Sequence, residues 1–174
     1  GELDFTALKI SELDVDLGRA RRFDEMMQIL SEAEGAGGGS ILRAHSFDPD
    51  LMVDGRYPGI SELDVVCPDG PLYVKRRDGH SSVVNTAAWK LLDVPGSTNG
   101  IERDGSGRPT GALRAEAHTY AVRRVESFLT REERLECFRR AAALAAERGL
   151  GVVHALAGSK VAENRDVELL LEVR

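Results

Sequence analysis

Five side chains able to do chemistry fall in one short run, Arg76-Arg77-Asp78-Gly79-His80-Ser81-Ser82-Val83-Val84-Asn85. His80 carries an imidazole, which is a general acid or base near neutral pH and a ligand for transition metals. Asp78 is placed to point into the same pocket, because Gly79 between them permits a tight turn or a positive φ. Asn85 has two readings. Its amide has the donors and acceptor to orient a substrate carbonyl, or it simply occupies the first turn of a helix. Arg76 and Arg77 also have two readings: solvated charges, or an inward guanidinium suited to an anionic or carbonyl substrate.

The chain has four histidines. His45, His80 and His154 each fall at or just past the C-terminal end of a predicted strand. If those strands are parallel, the three imidazoles converge on one face. His118 is expected within a helix as a solvated polar residue. The glycine run 35–39 does not read as a phosphate loop. It lies between a helix and a following strand, and Ser40-Ile41 after it carries no lysine.

The elements that must position these groups follow from periodicity. Phe23, Met26, Met27 and Leu30 recur at helical spacing, which predicts a helix over 22–34. Ile41–His45 and Leu72–Lys75 are candidate strands, with 46–60 as a loop. Ser61-Glu62-Leu63-Asp64 has capping-box spacing and is expected to open a short helix. The spacing of Val84, Ala87, Ala88, Leu91 and Leu92 predicts a helix over 82–92. Residues 93–111, dense in Gly, Pro, Ser, Asn and Asp, read as an irregular excursion or small hairpin, and 112–126 as a helix. Thr130-Arg131-Glu132-Glu133 is a second capping box, with Gly149 placed to end the helix it opens. Gly151–Ala155 reads as a strand, and a last helix is expected from about Arg165. Helix and strand alternate, so the expected class is α/β with a parallel sheet flanked by helices.

The bulk numbers set limits. Hydrophobic residues make up 42% and charged residues 30% of the 174, ordinary for a globular chain. A net charge of −6 argues against a general nucleic-acid surface. No apolar run approaches the roughly 20 residues that span a bilayer, and the N-terminus has no signal-peptide pattern. Cys67 and Cys137 are too few for a disulfide framework, so free thiols and a cytoplasmic location are expected, with no membrane partner.

The string Arg-x-Asp-Gly-His-x-x-x-x-Asn at 76–85 is followed by Gly-Ile-Glu-Arg-Asp-x-x-Gly-Arg-Pro-Thr-Gly-x-Leu at 100–113 and by Gly-Val-Val-His at 151–154. In that order, with Gly55-Arg56-Tyr57-Pro58 and Glu62-Leu63-Asp64 upstream, they resemble the long, type 3 amidohydrolases. The resemblance covers roughly residues 40–155. It implies a (β/α)₈ TIM barrel holding one or two divalent metals, zinc foremost, and hydrolysis of amides, formamides or cyclic amides by metal-activated water. The family's His-x-His pair is absent from this sequence, so the metal ligands are expected outside 1–174. A whole barrel needs about 250 residues. The chain is therefore expected to be one internal fragment of the catalytic domain, covering about the second to fourth barrel strands and inactive alone. Within it the resemblance assigns Arg76, Asp78, His80, Asn85 and His154 to a substrate pocket for a small amide. Unpaired strand edges imply self-association, with a homodimer expected. The alternative is a non-enzymatic α/β module that binds a ligand or partner.

Overall fold

The computed structural model describes residues 14–35, 40–152, 168–169 and 171–172. The chain divides into two units, residues 14–128 and residues 1–13 with 129–174.

The first unit holds a mixed six-stranded sheet. Its strands are β1 (Val15–Asp16), β2 (Leu42–Phe47), β3 (Leu72–Arg76), β4 (Ser81–Val84), β5 (Ile101–Arg103) and β6 (Pro109–Arg114), in the order β1-β2-β3-β4-β6-β5. The pairs β1–β2 and β2–β3 are parallel, whereas β3–β4, β4–β6 and β5–β6 are antiparallel. The expected parallel sheet is thus present as one half. Two hairpins extend it; the second starts within the stretch 93–111 read as an excursion and runs three residues past it, to Arg114.

Helices cover both faces, because strand side chains alternate with a period of two. Leu72 and Val74 on β3, Val83 on β4 and Ala112 on β6 pack in one cluster with Met26, Leu30 and Leu63. Those last three come from α1 (Phe23–Gly35) and α2 (Ile60–Val66). Tyr73, Val84 and Leu113, one residue out of step, pack with Ala88, Leu92, Ala117, Ala121 and Val125. These belong to α3 (Thr86–Leu92) and α4 (Ala115–Ser127). Burying each large apolar side chain contributes about 1.5–3 kcal/mol, so the two clusters together fix the strand register.

Three expectations require correction. Residues 81–84 are a strand, not the first turn of a helix. Val83 and Val84 face opposite clusters, which only a period of two allows. The cap of α2 is Gly59, whose amide donates to Glu62 Oε2 at 2.8 Å, so the box lies two residues upstream of Ser61. Residues 109–114 are strand, so α4 begins at Ala115 rather than 112.

The other unit contains α5 (Arg131–Glu147), capped by Thr130 as expected: Glu133 N donates to Thr130 Oγ1 at 3.2 Å, and Thr130 N to Glu133 Oε2 at 2.8 Å. Leu135, Phe138 and Ala141 of this helix pack with Leu169. The expected strand at 151–155 and the last helix fall largely outside the described residues. Cys67 and Cys137 are both buried, and neither forms a disulfide.

Candidate functional site

The β3–β4 hairpin builds the site. Arg76 ends β3, Arg77–His80 form the turn, and Ser81 opens β4. Arg77 N donates to Phe47 O at 2.8 Å, which ties the turn to the end of β2. The turn therefore lies at the C-terminal edge of the parallel strands, where α/β folds place their chemistry. Gly79 holds φ +72°, as the Asp-Gly pair allows. Asp78 Oδ1 accepts from His80 N at 2.9 Å, and Asp78 Oδ2 lies 3.1 Å from Arg76 Nη1. Partial burial pulls the Asp78 carboxyl upward, but the His80 amide and the Arg76 charge outweigh it and hold it below the usual carboxylate range. The His80 side chain is exposed on this turn.

Arg76 is a hub rather than a free cation. Its guanidinium pairs with Asp50 and Asp78, lies 3.7 Å from Asp48 and donates to Tyr57 Oη at 3.2 Å. The Tyr57 ring also carries Arg114, whose Cζ sits 4.8 Å from the centroid, and meets Phe47 edge-on at 5.5 Å. Ser81 Oγ lies 3.2 Å from the same phenol oxygen. Tyr57, Arg114 and Ser81 were missed as site residues. Tyr57 and Arg114 come from parts of the chain distant from the turn, and no local signal in the sequence marks them as its neighbours.

Asn85 lies at the other end of β4 and is fully buried. Its Oδ1 accepts from Leu72 N and Ala88 N, each at 2.9 Å. Its Nδ2 donates to Cys67 O at 2.9 Å and Gly70 O at 2.8 Å. The structure thus places Asn85 as the N-cap of α3, with its amide capacity engaged by backbone. Asp64 is a second joint, accepting from Thr86 N at 2.8 Å and Thr86 Oγ1 at 2.7 Å.

His45 and His118 are each tied to neighbouring groups of the chain. His45 sits in β2 with Nδ1 2.7 Å from Ser46 Oγ and 3.9 Å from Asp16 Oδ1. His154 lies outside the described residues. His118 is not solvated, as expected from sequence, but buried at 4% exposure. Its Nε2 lies 2.9 Å from the Gly79 carbonyl oxygen and its Nδ1 3.0 Å from Ser82 Oγ. A carbonyl only accepts, so Nε2 carries the proton and Nδ1 accepts from the Ser82 hydroxyl. Among the described residues no group of three His, Cys, Asp or Glu side chains is arranged to hold a metal ion. With His45 on Ser46 and His118 on a carbonyl, the described donors do not fit a divalent metal.

Burial, aided by the nearby Lys75 and His80 charges, pushes the His118 imidazole down to about 4 against the pull of the Gly79 carbonyl and Asp78. The ordinary value is 6.5. Between those two pH values the unfolded chain takes up a proton that the folded chain refuses. His118 therefore adds stability above pH 6.5 that is lost as pH falls toward 4. Between pH 7 and pH 5 the expected loss is about 2 kcal/mol. Urea denaturation of wild type and His118→Gln at pH 7 and pH 5 checks this. The wild type should lose more on acidification, and parallel losses would refute the assignment.

No helix among the described residues is long and apolar enough to cross a membrane. An N-substituted formamide deformylase from Arthrobacter pascens is 27% identical over 117 residues, 64% of this chain and 22% of that protein. Protein LONG AFTER FAR-RED 3 from Arabidopsis thaliana is 30% identical over 136 residues, 75% of this chain and 23% of that protein. The chain thus spans less than a quarter of the length of these curated relatives. An uncharacterized metal-dependent hydrolase from Pyrococcus furiosus has the same fold, with a TM-score of 0.71 at 24% identity over 99% of this chain and 33% of that one. One from Pyrococcus horikoshii OT3 gives 0.74 at 23%, over 99% and 32%. The open sheet with parallel strands flanked by helices is accordingly a partial barrel of that fold. The Amidohydrolase family model matches residues 3–174, and the chain belongs to that family.

Proposed function

We propose that this chain is an internal piece of a metal-dependent hydrolase that cleaves non-peptide C–N bonds, with N-substituted formamides as the first substrate class. The observation that carries the reading is the family match over residues 3–174, supported by likeness to a formamide deformylase. The metal, zinc in this proposal, is held by residues other than the described ones. The residues of this chain form one wall of the pocket. His80 and Asp78 stand on the hairpin turn, and Arg76, fixed by its carboxylates and by Tyr57, sets the polarity of that wall. Asn85 acts from below, by holding the start of α3 against the end of α2. The working compartment is the cytoplasm. The open sheet edges at β1 and β5 favour self-association, with a homodimer proposed.

The test uses the complete product of the gene, supplied with zinc, and a panel of N-substituted formamides. Water adds to the formyl carbon, the C–N bond breaks, and each turnover releases one amine and one formate. Formate release that a chelator abolishes and zinc restores is the expected result, with residues 1–174 alone inactive. Turnover by 1–174 without the remainder, or no hydrolysis of any formamide, amide or cyclic amide by the complete protein, would overturn the proposal.

A further inference from the structure

We propose that His118 is a positioning residue for the substrate pocket, clamping the Arg77–His80 turn from beneath so that His80 and Asp78 are held ready for the ligand. The inference rests on the pocket reading above, and nothing in the sequence pointed to it.

The geometry carries the argument. The turn projects from the sheet at the C-terminal edge of β3 and is tied down at few points. Within the hairpin, Gly79 N donates to Arg76 O at 3.1 Å, and Asp78 Oδ1 takes the His80 amide. Outside it, Arg77 N reaches Phe47 O on β2. The tie from the α4 side is His118, which reaches across 39 residues to donate to the Gly79 carbonyl at 2.9 Å. Gly79 is flanked by the two proposed pocket residues, so its peptide orientation sets where both side chains leave the backbone. The φ of +72° there is a conformation that glycine does not hold by its own steric preference.

The other imidazole nitrogen completes the device. Ser82 Oγ lies 3.0 Å from Nδ1, and in a bond in which the hydroxyl donates it fixes the tautomer that leaves the proton on Nε2. Ser82 belongs to β4, the strand that follows the turn, and its side chain is buried at 1% exposure. His118 thus holds the hairpin at two points, the turn and the strand. An imidazole buried between the turn and β4 would be a costly choice for packing alone, since a leucine fills the same space without polar atoms to satisfy. What the histidine adds over leucine is a directed N–H aimed at Gly79 O. Substrate affinity then gains because the turn is ordered before the ligand arrives.

The experiment compares His118→Leu, which removes the N–H, with His118→Gln, whose side-chain amide can still donate to Gly79 O. Two readouts are taken on the complete gene product: hydrogen exchange of the His80 amide, and the split between KM and kcat for the substrate turned over. His118→Leu should speed His80 amide exchange at least tenfold and raise KM about tenfold with kcat within threefold of wild type. His118→Gln should restore both most of the way. Ser82→Ala, which frees the tautomer, should fall between them. If His118→Leu does not fold, the comparison of Ser82→Ala with His118→Gln decides the matter with the same readouts. Unchanged exchange at His80 in both His118→Leu and Ser82→Ala would overturn the proposal, as would a loss in kcat alone. Should the wild-type protein hydrolyse nothing, the function proposed above fails, and the exchange readout still decides whether His118 holds the turn.

Discussion

Gly100→Ala is expected to cost about 3–5 kcal/mol of stability, close to the whole margin of a small domain. An ideal Cβ at position 100 would lie 2.0 Å from the Arg114 carbonyl oxygen and 2.8 Å from its carbon. That is backbone, not the end of a flexible side chain, so relief requires moving a strand. Gly100 also holds φ +95°, a region that costs an L-residue about 1–2 kcal/mol even without a clash. The displaced strand carries further bonds: Arg114 N donates to Gly100 O at 2.8 Å, and Ala117 N to Asn99 O at 2.9 Å. Moving β5 away from β6 therefore also loosens the start of α4. Gly111→Ala is expected to act in the same way, since its Cβ would sit 2.6 Å from Val84 O at φ +93°. Gly105→Ala is the control, with nothing within 4 Å, and should change stability by less than about 0.5 kcal/mol. Urea midpoints for the three variants provide the measurement. Equal midpoints for Gly100→Ala and Gly105→Ala would show that the hairpin gives way at no cost and that the close approach is unimportant.

This result bears on what the second family string encodes. Gly100 and Gly111 permit the close approaches that lay β6 between β4 and β5. Asp104 holds the hairpin turn: its Oδ1 accepts from Ser106 N at 2.9 Å and Arg108 N at 3.0 Å. The string that most specifically identifies the family is in large part a recipe for a hairpin. Recognising it named the fold correctly, but its fixed residues serve backbone geometry more than chemistry. The same holds for Asn85 at the end of the first string, whose amide is occupied by the chain itself.

The sequence made local features legible where one short-range signal dominated. Met26 and Leu30 at helical spacing placed α1. Thr130 and Glu133 placed the start of α5, because a capping box is read from four consecutive residues. The strand Leu72–Arg76 followed from an apolar run between Pro71 and two arginines. Misreadings arose where two periods overlapped. Val84 lies at helical spacing from Ala87, Ala88 and Leu91, yet it is the last residue of β4 and faces the same cluster as Ala88 by a different route. The Asp78-Gly79 pair is the sequence signal for the hairpin that the helical spacing concealed. Long-range contacts were illegible in principle. Nothing near Asp64 foretells that its carboxylate accepts from Thr86, and nothing near His118 foretells Gly79 as its partner. The site follows the same rule. Asp78 and His80 were visible because they are neighbours in sequence. The Tyr57–Arg114 half was hidden because only the folded sheet brings it to Arg76.

Asn85→Ala should destabilise the first unit by about 3–5 kcal/mol, because it deprives four backbone groups, three of them in buried bonds and one in a part-buried bond, of their partner at once. Leu72 N and Ala88 N lose an acceptor; Cys67 O and Gly70 O lose a donor. The amide orientation is not a free choice: two amide donors face Oδ1 and two carbonyls face Nδ2, and the reverse assignment would make all four contacts repulsive. Asn85→Asp then separates the two halves of the network. A carboxylate still accepts from Leu72 and Ala88, but it confronts the two carbonyls with negative charge in a fully buried site. Burial and those carbonyls should raise its pKa above the ordinary carboxylate value of about 3.9, since only the protonated form has a hydrogen to donate. The sign follows from linkage. A raised folded-state pKa means the folded chain binds the proton more tightly than the unfolded one. The stabilising contribution is present below pH about 3.9 and is lost as pH rises through the folded value. The gap in stability between wild type and Asn85→Asp should therefore be wide at pH 7 and narrow steadily toward pH 4, whereas the gap for Asn85→Ala should stay constant. Urea denaturation of both variants across that range makes the comparison. If instead Asn85→Ala unfolds within about 1 kcal/mol of wild type while the complete protein loses turnover, the amide is spent on substrate after all, and the cap of α3 is a secondary use of a pocket residue.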